Sequence, residues 1–362
     1  MVEPIYVPVL PTTRAALTAY AQVDLGLRQR IAPLWTVVPR TGPERPRGRP
    51  TLPDPEPDEV ALRRWLTPRV EGLIDVMDGM SGWVDPTHVE RLLDASAESL
   101  WRLATRSNLR LVTGPERDPD QQRYAADLAF LSGLGLGIRV LLDDPPDELR
   151  QTLVDLIDRL CLPPSRLDLL LDVGPITDTT QAGKKALAGL DLLGSLVAWR
   201  RVVLTAGGFP RAPQGLDAQP TRMAERHDRQ LHRSLREARP DFPRTLVYGD
   251  YSVEQACRAN IPTVRQPGPG WGLFRYTTPE GFLIARAPTR GPYRDQRARA
   301  MARWIVESGD FRSIDNVGAS EAERWLHVCA YGDGRRSAGN AEKWIQIGHI
   351  QHLSFVAQQL AS

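Results

Sequence analysis

The stretch "LDLLLDV" (residues 167–173) is almost continuously apolar, and it decides how the rest of the chain is interpreted. A short run of this kind is typical of a strand that is buried on both faces of a parallel sheet. Seven further runs share its length and character: "IYVPVL" (5–10), "PLWTVV" (33–38), "GWVDP" (82–86), "LRLVT" (109–113), "GIRVLL" (137–142), "RVVLTA" (201–206) and "TLVYGD" (245–250). The sequence therefore contains eight candidate strands.

Helical segments lie between these strands. Asp147 precedes "ELRQTLVDLIDRLCL", in which leucines recur at spacings of three and four, and Thr179 with Thr180 opens "QAGKKALAGLDLLGSL". Asp118 followed by Pro119 is typical of a helix start. Strand and helix alternate eight times, which favours a closed (β/α)8 TIM-like barrel over an open doubly wound sheet.

The chain continues beyond the eighth strand. "GWGLFRYTTPEGFLIARAP" (270–288) predicts a β-hairpin, and "YRDQRARAMARWIVES" and "EKWIQIGHIQHLSFVAQQL" predict helices after it. We expect a barrel over residues 1–260 and a hairpin and helical extension over 261–362 that packs on it. A proline-rich insertion at 40–58 is either a solvated loop or a lid or partner-binding loop.

Composition narrows the possible functions. The 46 basic and 44 acidic residues give a net charge of +2, which provides no global reason to bind nucleic acid or a membrane surface. No apolar run is long enough to span a membrane, and no secretory signal is evident, so we expect a cytoplasmic protein. The three cysteines are isolated from one another and indicate neither a disulfide framework nor a zinc site.

Aspartates follow several of the predicted strands. They are Asp85, Asp143, Asp144, Asp172 and Asp250. Since the carboxyl ends of barrel strands meet at one mouth, these side chains could hold a cation or act as an acid/base pair. Arg139 and Arg275 are candidate partners, and the alternative is that the aspartates cap helices or form buried ion pairs.

A glycine pair, Gly207 and Gly208, follows the seventh strand. Many barrels bind phosphate at this position through backbone N–H groups, and Arg211 and Arg275 would add positive charge. A tight turn explains the two glycines equally well. An anionic ligand at the mouth is therefore one expectation, and the residues identify no cofactor.

Aromatic and histidine side chains add two smaller hypotheses. Tyr251 and Trp271 could form the wall of a pocket beside Asp250, or they could be ordinary core residues. His349 and His352 share a helix face, but no third ligand accompanies them. We expect these histidines to pack and hydrogen-bond rather than to bind a metal.

The order of several short motifs resembles the protein beta family of bacteria and T4-related phages. The motifs are "YVPVL" (6–10), "WVD" (83–85), "GIR" (137–139), "LDLLLDVG" (167–174), "GGFP" (207–210), "YGDY" (248–251), "FRYT" (274–277), and the closing "GNAEKW" with "IGHIQHLSFVAQQL". The chain departs from the family pattern at Thr36, where a glutamate arrangement is usual, and at "SIDNVGASEAERW" (313–325).

The resemblance implies no established reaction, and two hypotheses follow. In the first, the mouth binds a small anionic ligand, such as a phosphate-bearing one, through Asp85, Arg139, Gly207, Gly208, Tyr251 and Arg275, and the candidate catalytic residues Asp172 and Asp250 hydrolyse it. In the second, the barrel is a non-catalytic scaffold in a phage-defence or phage-related assembly. Its protein partner would then contact the proline-rich insertion and the carboxyl-terminal extension.

Overall fold

A computed structural model describes residues 3–38, 59–142, 146–210, 221–256, 270–333 and 337–362. Eight parallel strands close into a barrel and helices alternate with them, so the predicted (β/α)8 TIM-like barrel is confirmed. The predicted insertion at 40–58, Asp143, Asp144, Arg211 and the boundary at 260/261 lie outside the described residues. The division into two domains therefore remains a prediction.

The elements are numbered in chain order. The barrel strands are β1 Tyr6–Pro11, β2 Leu34–Thr36, β3 Gly82–Asp85, β4 Leu109–Thr113, β5 Leu136–Leu141, β6 Leu167–Pro175, β7 Arg201–Gly207 and, after the separate strand β8 Thr221–Ala224, β9 Leu246–Asp250. The helices in the described ranges are α1 Arg14–Ala21, α2 Leu25–Arg28, α3 Glu59–Met77, α4 Leu93–Arg106, α5 Pro119–Ser132, α6 Pro146–Leu160, α7 Thr179–Leu193, α8 His227–Ala238, α9 Arg294–Val306, α10 Glu321–Tyr331 and α11 Ala341–Ala361.

Helix starts follow local capping chemistry. The Asp118 carboxylate accepts a hydrogen bond from the Asp120 N–H at 2.8 Å, and Pro119 occupies the first turn of α5, as predicted. Asp178, rather than the threonines after it, caps α7 by accepting from the Thr180 N–H at 2.9 Å. The α6 helix begins at Pro146, so Asp147 lies inside it instead of ahead of it.

The barrel sheet separates two apolar cores. Side chains from alternate positions fill the interior, including Val9, Leu34, Trp83, Leu170 and Val203, and all of them are buried. The intervening positions pack outward against the helices in a second, larger core. Because successive side chains alternate between these cores, the position of a residue along its strand decides whether it faces the interior.

The carboxyl-terminal extension contains the predicted hairpin. Strands β10 Trp271–Thr277 and β11 Gly281–Pro288 pair in antiparallel fashion, and β8, which the sequence did not predict, pairs with β11 as a third strand. Helix α11 packs against both β10 and α1, so it lies between the hairpin and the barrel. The ring of Trp344 on α11 stacks on Phe274 with 4.6 Å between centroids. In the described ranges, no helix has the length and apolar character needed to cross a bilayer.

Candidate functional site at the barrel mouth

Three of the predicted site residues meet inside the barrel. Asp85 lies two residues after Trp83, and Asp172 lies two residues after Leu170, so each shares the inward face of its strand. Arg139 bridges them: its Nη1 lies 2.7 Å from Asp85 Oδ2, and its Nη2 lies 2.5 Å from Asp172 Oδ2. These contacts place a buried carboxylate–guanidinium–carboxylate bridge at the carboxyl ends of β3, β5 and β6.

Tyr251 completes this bridge from the end of β9. Its hydroxyl donates to Asp172 Oδ2 at 2.5 Å and accepts from Arg139 Nη2 at 2.7 Å. Burial alone would lower the pKa of Arg139, but Tyr251, Asp172 and Asp85 hold that pKa well above its usual value. Arg139 is therefore a fixed positive charge, and its neighbours hold its guanidinium in one orientation.

Sequence reasoning missed the outer part of this network. Arg117, in the loop after β4, donates from Nη2 to Asp85 Oδ1 at 3.0 Å and also pairs with Glu90 from the loop after β3. Burial acts to raise the pKa of Asp85, yet the charges of Arg117 and Arg139 keep it below the ordinary value. The only sequence signal for Glu90 and Arg117 is that each follows the carboxyl end of a barrel strand.

The pKa of the Glu90 carboxyl is shifted from its ordinary value. The residue is 3% exposed, and this burial raises the pKa of its carboxyl to about 7. The positive charge of Arg117 lowers the pKa of Glu90, but Arg117 also pairs with Asp85 and Glu116. The negative charges of those two residues raise the pKa of Glu90 further. A carboxyl group that titrates near neutral pH can both accept and donate a proton under ordinary conditions.

A cleft of about 840 Å³ opens beside Glu90, between the loops that follow β3 and β4. Its walls carry six carboxylates, Glu59, Glu90, Asp94, Glu116, Asp118 and Asp120, and two arginines, Arg91 and Arg117. The cleft is therefore acidic, and its inner wall is connected through Arg117 and Asp85 to the bridge inside the barrel.

Asp250 belongs to a different set of contacts. Its Oδ1 accepts from the Tyr6 hydroxyl at 2.6 Å, and its Oδ2 lies 2.9 Å from His352 Nε2 on α11. Tyr6 and Tyr248 belong to the outward-facing core, and Asp250 follows Tyr248 by two residues on the same face of β9. Despite burial, His352 and Arg226 lower the pKa of Asp250 to about 2. Asp172 and Asp250 thus lie on opposite faces of the barrel sheet.

The glycine pair is closely packed. A Cβ on Gly207 would lie 2.5 Å from the Cβ of Ala256, and one on Gly208 would lie 2.0 Å from Asp228 Oδ1. Both positions therefore require glycine for packing, whether or not a phosphate group binds there. Arg275, on β10, lies with its guanidinium carbon 5.8 Å from the centre of the Phe209 ring.

The remaining predicted residues lie where α11 meets the barrel and the hairpin, or within the hairpin itself. His352 Nδ1 lies 2.7 Å from Thr277 Oγ1, and His349 Nδ1 lies 2.9 Å from Ser252 Oγ. Trp271 lies under the Arg286 guanidinium at 4.3 Å. Over the described ranges, no three histidine, cysteine, aspartate or glutamate side chains are placed to hold a metal ion.

A second charged cluster, also missed, lies at the opposite end of the barrel. Asp168 accepts from Arg200 Nε at 2.7 Å and from the indole N–H of Trp83 at 3.0 Å. Asp168 is near the amino end of β6. In TIM barrels, residues at this end of the strands generally contribute to stability rather than to catalysis. We interpret this cluster as structural.

The chain matches a family profile and, distantly, a solved structure. No curated protein matches the chain. Among solved structures, apo 3-keto-D-glucoside 4-epimerase from E. coli matches at 10% identity with a TM-score of 0.33, covering 74% of this chain and 95% of that chain. Those values are too low for the likeness to bear on function. The profile described as Beta protein matches residues 6–358, so the chain belongs to the Beta protein family.

Proposed function

We propose that this member of the Beta protein family binds a small polar ligand in the cleft between the loops after β3 and β4, and that Glu90 exchanges a proton with it. One observation carries the proposal: a buried carboxyl with a pKa of about 7 lies on the wall of a cleft at the carboxyl end of a TIM barrel. Perturbed acidity in a cleft is typical of functional sites.

The surrounding network would orient Glu90. Arg117 contacts Glu90, Glu116 and Asp85, and Asp85 is held in turn by Arg139. Because each of these groups is fixed by the next, little reorganisation would accompany proton transfer at Glu90. In this proposal Glu90 contacts the ligand, and Arg117, Asp85 and Arg139 act as positioning residues.

The charge of the cleft bears on the ligand class. The sequence predicts a small anionic ligand, which would have to pair with Arg91 and Arg117 against six carboxylates. Such a wall favours a neutral hydroxyl-rich or a cationic ligand over an anion. We therefore rank polyols and amines first, and phosphate-bearing compounds second.

Hydrolysis by Asp172 and Asp250 remains a prediction that the geometry disfavours. Asp172 Oδ1 accepts from the Gly174 N–H at 2.9 Å, its Oδ2 is held by Arg139 and Tyr251, and both oxygens of Asp250 are also bonded. An acid/base pair must face one substrate, whereas these two residues lie on opposite faces of the sheet. If the wild-type protein released phosphate from glucose 6-phosphate and both D172N and D250N lost this activity, the prediction would be supported.

A thermal-shift screen tests the binding proposal. We expect glucose, spermidine or glucose 6-phosphate, as representatives of the three ligand classes, to raise the melting temperature of the wild-type protein. E90Q should abolish the rise, whereas E59Q, which removes one exposed carboxylate of the same cleft, should at most reduce it. If no class gives a rise, or if E90Q behaves like the wild type, the proposal fails.

Calorimetry tests the proton transfer itself. Titration of the stabilising compound at pH 7 in phosphate and in Tris, which differ in ionisation enthalpy, measures protons taken up or released on binding. Wild type should show a net proton exchange that E90Q lacks and E59Q retains. Equal exchange in wild type and E90Q would remove Glu90 from the proposal.

The scaffold hypothesis remains the alternative. Its predicted contact loop, 40–58, lies outside the described residues, and α11 is largely buried between the barrel and the hairpin. Deletion of residues 45–54 should abolish capture of a partner while leaving the melting temperature unchanged if this alternative is correct.

A further inference from the structure

A second cavity, of about 1,040 Å³, lies on the outside of the barrel along α8. It extends over the loop from α8 to β9, the turn of the hairpin and the end of α11. Six arginines line it: Arg226, Arg229, Arg233, Arg236, Arg239 and Arg244. Only two carboxylates, Glu237 and Glu280, belong to the same lining. We call this cavity the α8 groove.

Helix periodicity explains how the arginines come together. Arg229, Arg233 and Arg236 are spaced by four and three residues, so they project from one face of α8. Leu231 and Leu235 lie on the other side of the helix and are buried against the barrel. The positive charge is therefore gathered along the groove.

Three of the six arginines are already neutralised. Arg226 is buried and lies 3.3 Å from Asp228 and 3.7 Å from Asp250. Arg239 Nε lies 2.6 Å from Asp191 Oδ1. Arg233 faces Glu237 at 3.8 Å across an exposed contact.

The other three have no carboxylate partner within the described residues. Arg229 is half-buried, with its guanidinium carbon 5.6 Å from the centre of the Tyr248 ring, and Arg236 and Arg244 are exposed. Three uncompensated guanidinium groups in one cavity are a strong local excess on a chain whose net charge is only +2. This excess is the feature that a bound anion would neutralise.

Two neighbouring groups are sensitive to this positive potential. Burial lowers the pKa of Arg229; Tyr248 and Asp228 oppose this shift, and repulsion from Arg226 and Arg233 adds to it. Burial also lowers the pKa of His232 to about 4, with additional repulsion from Arg236 and Arg229. Burial is the main cause of both shifts, and the neighbouring arginines contribute to each.

We propose that the α8 groove binds a small molecule that carries two or more phosphate groups, with Arg229, Arg236 and Arg244 as its principal contacts. Arg229 and Arg236 are seven residues apart, which corresponds to about 10 Å along a helix, so a ligand with two or more phosphate groups can pair with both without the side chains bending towards each other. Guanidinium groups bind phosphate oxygens in a bidentate geometry, which suits this ligand class. The groove is separate from the acidic cleft at the mouth, with no lining residue in common.

The lining also distinguishes a small ligand from nucleic acid. Single strands are held by aromatic side chains on which bases stack, as well as by basic residues. Phe242 and His232 are the only aromatic side chains in the lining; Phe242 is half-buried and His232 is buried, with its Nε2 2.9 Å from the carbonyl oxygen of Leu246. The groove therefore offers charge without a stacking platform.

Calorimetric titration of the full chain with tripolyphosphate tests this proposal, with inorganic phosphate and a single-stranded 12-mer DNA as comparison probes. We expect tripolyphosphate to bind, and R229Q/R236Q to weaken it at least about tenfold, because two charge-assisted hydrogen bonds are lost. R150Q/R297Q removes the same charge from exposed positions on α6 and α9 and should leave the affinity unchanged within about twofold. E90Q should also leave it unchanged.

Several results would overturn the proposal. One such result is that the wild-type protein does not bind tripolyphosphate. Equal loss in both arginine double variants would show a non-specific charge effect, and equal affinity for inorganic phosphate would remove the requirement for several phosphates. Tighter binding of the 12-mer, in competition with tripolyphosphate, would assign the groove to nucleic acid. Because Arg229 is half-buried, R236Q/R244Q is a second variant at exposed positions, and it too must lose affinity.

Discussion

His352 Nε2 lies 2.9 Å from Asp250 Oδ2 and thereby joins the last helix of the chain to the last strand of the barrel. Both side chains are buried, and His352 also contacts Thr277 on the hairpin. One imidazole ring therefore connects three parts of the structure: β9, β10 and α11. This role accounts for a buried histidine in the middle of α11.

We expect H352A to destabilise the protein by about 3 kcal/mol, because it leaves the buried Asp250 carboxylate without its contact to the imidazole. Urea denaturation at pH 7 measures this change. H327A, on the half-buried surface of α10, is the matched control and should cost less than about 1 kcal/mol. Similar losses for H352A and H327A would show that the contact with Asp250 does not stabilise the fold.

The buried His232 predicts an acid-sensitive stability. Its pKa is about 4 in the folded protein and 6.5 in a free side chain, so between these values the unfolded chain binds the extra proton. The free energy of unfolding should therefore fall as the pH drops from about 6.5 to 4, by about 3 kcal/mol from this residue.

H232Q isolates this contribution, because glutamine keeps a donor for the Leu246 carbonyl and does not titrate. The free energies of unfolding of wild type and H232Q are measured in urea at pH 7 and pH 4.5. Between these two values the wild type should lose more stability than H232Q. A difference that is constant with pH would mean that His232 takes up a proton in the folded protein as readily as in the unfolded one.

The buried Glu90 predicts the opposite pH dependence: its contribution to stability decreases as the pH rises. Its folded pKa of about 7 exceeds the ordinary value of 4.5, so the folded protein binds the extra proton between those two values. The contribution of Glu90 to stability is therefore fully present below about pH 4.5 and is lost as the pH rises through 7, by about 3 kcal/mol. Relative to the wild type, E90Q should gain stability between pH 5 and pH 8. Denaturation of both proteins at the two pH values measures this gain, which E59Q should not show.

A substitution at Gly208 tests why two glycines follow the seventh barrel strand. We expect G208A to destabilise the fold by about 1–3 kcal/mol, because the new Cβ would lie 2.0 Å from the buried Asp228 carboxylate. G270A is the control, since a Cβ at Gly270 has no heavy atom within 4 Å. The melting temperatures of the two variants measure this effect, and a G208A protein as stable as G270A would show that packing does not require glycine at position 208.

The sequence alone determined the barrel. Short, buried apolar runs such as 167–173 and 201–206 alternate with helices whose starts are marked by residues such as Asp118, and eight such units favour a closed parallel barrel over an open sheet. The hairpin at 270–288 was equally clear, because its turn chemistry is local. Strand β8 was not predicted, since four residues that pair only with a distant hairpin carry no local signal.

Tertiary structure decided which strand-end residues act together. In "LDLLLDV" and "TLVYGD" both faces of the strand are buried, so apolar residues occur on both faces and the sequence does not reveal which side chains face inward. Asp172 and Asp250 therefore look equivalent in sequence, yet one lies inside the barrel with Arg139 and the other outside it with His352. The pairing of Glu90 with Arg117 likewise depends on two loops that meet only in the folded chain, because ion pairs require proximity and sequence spacing does not specify it.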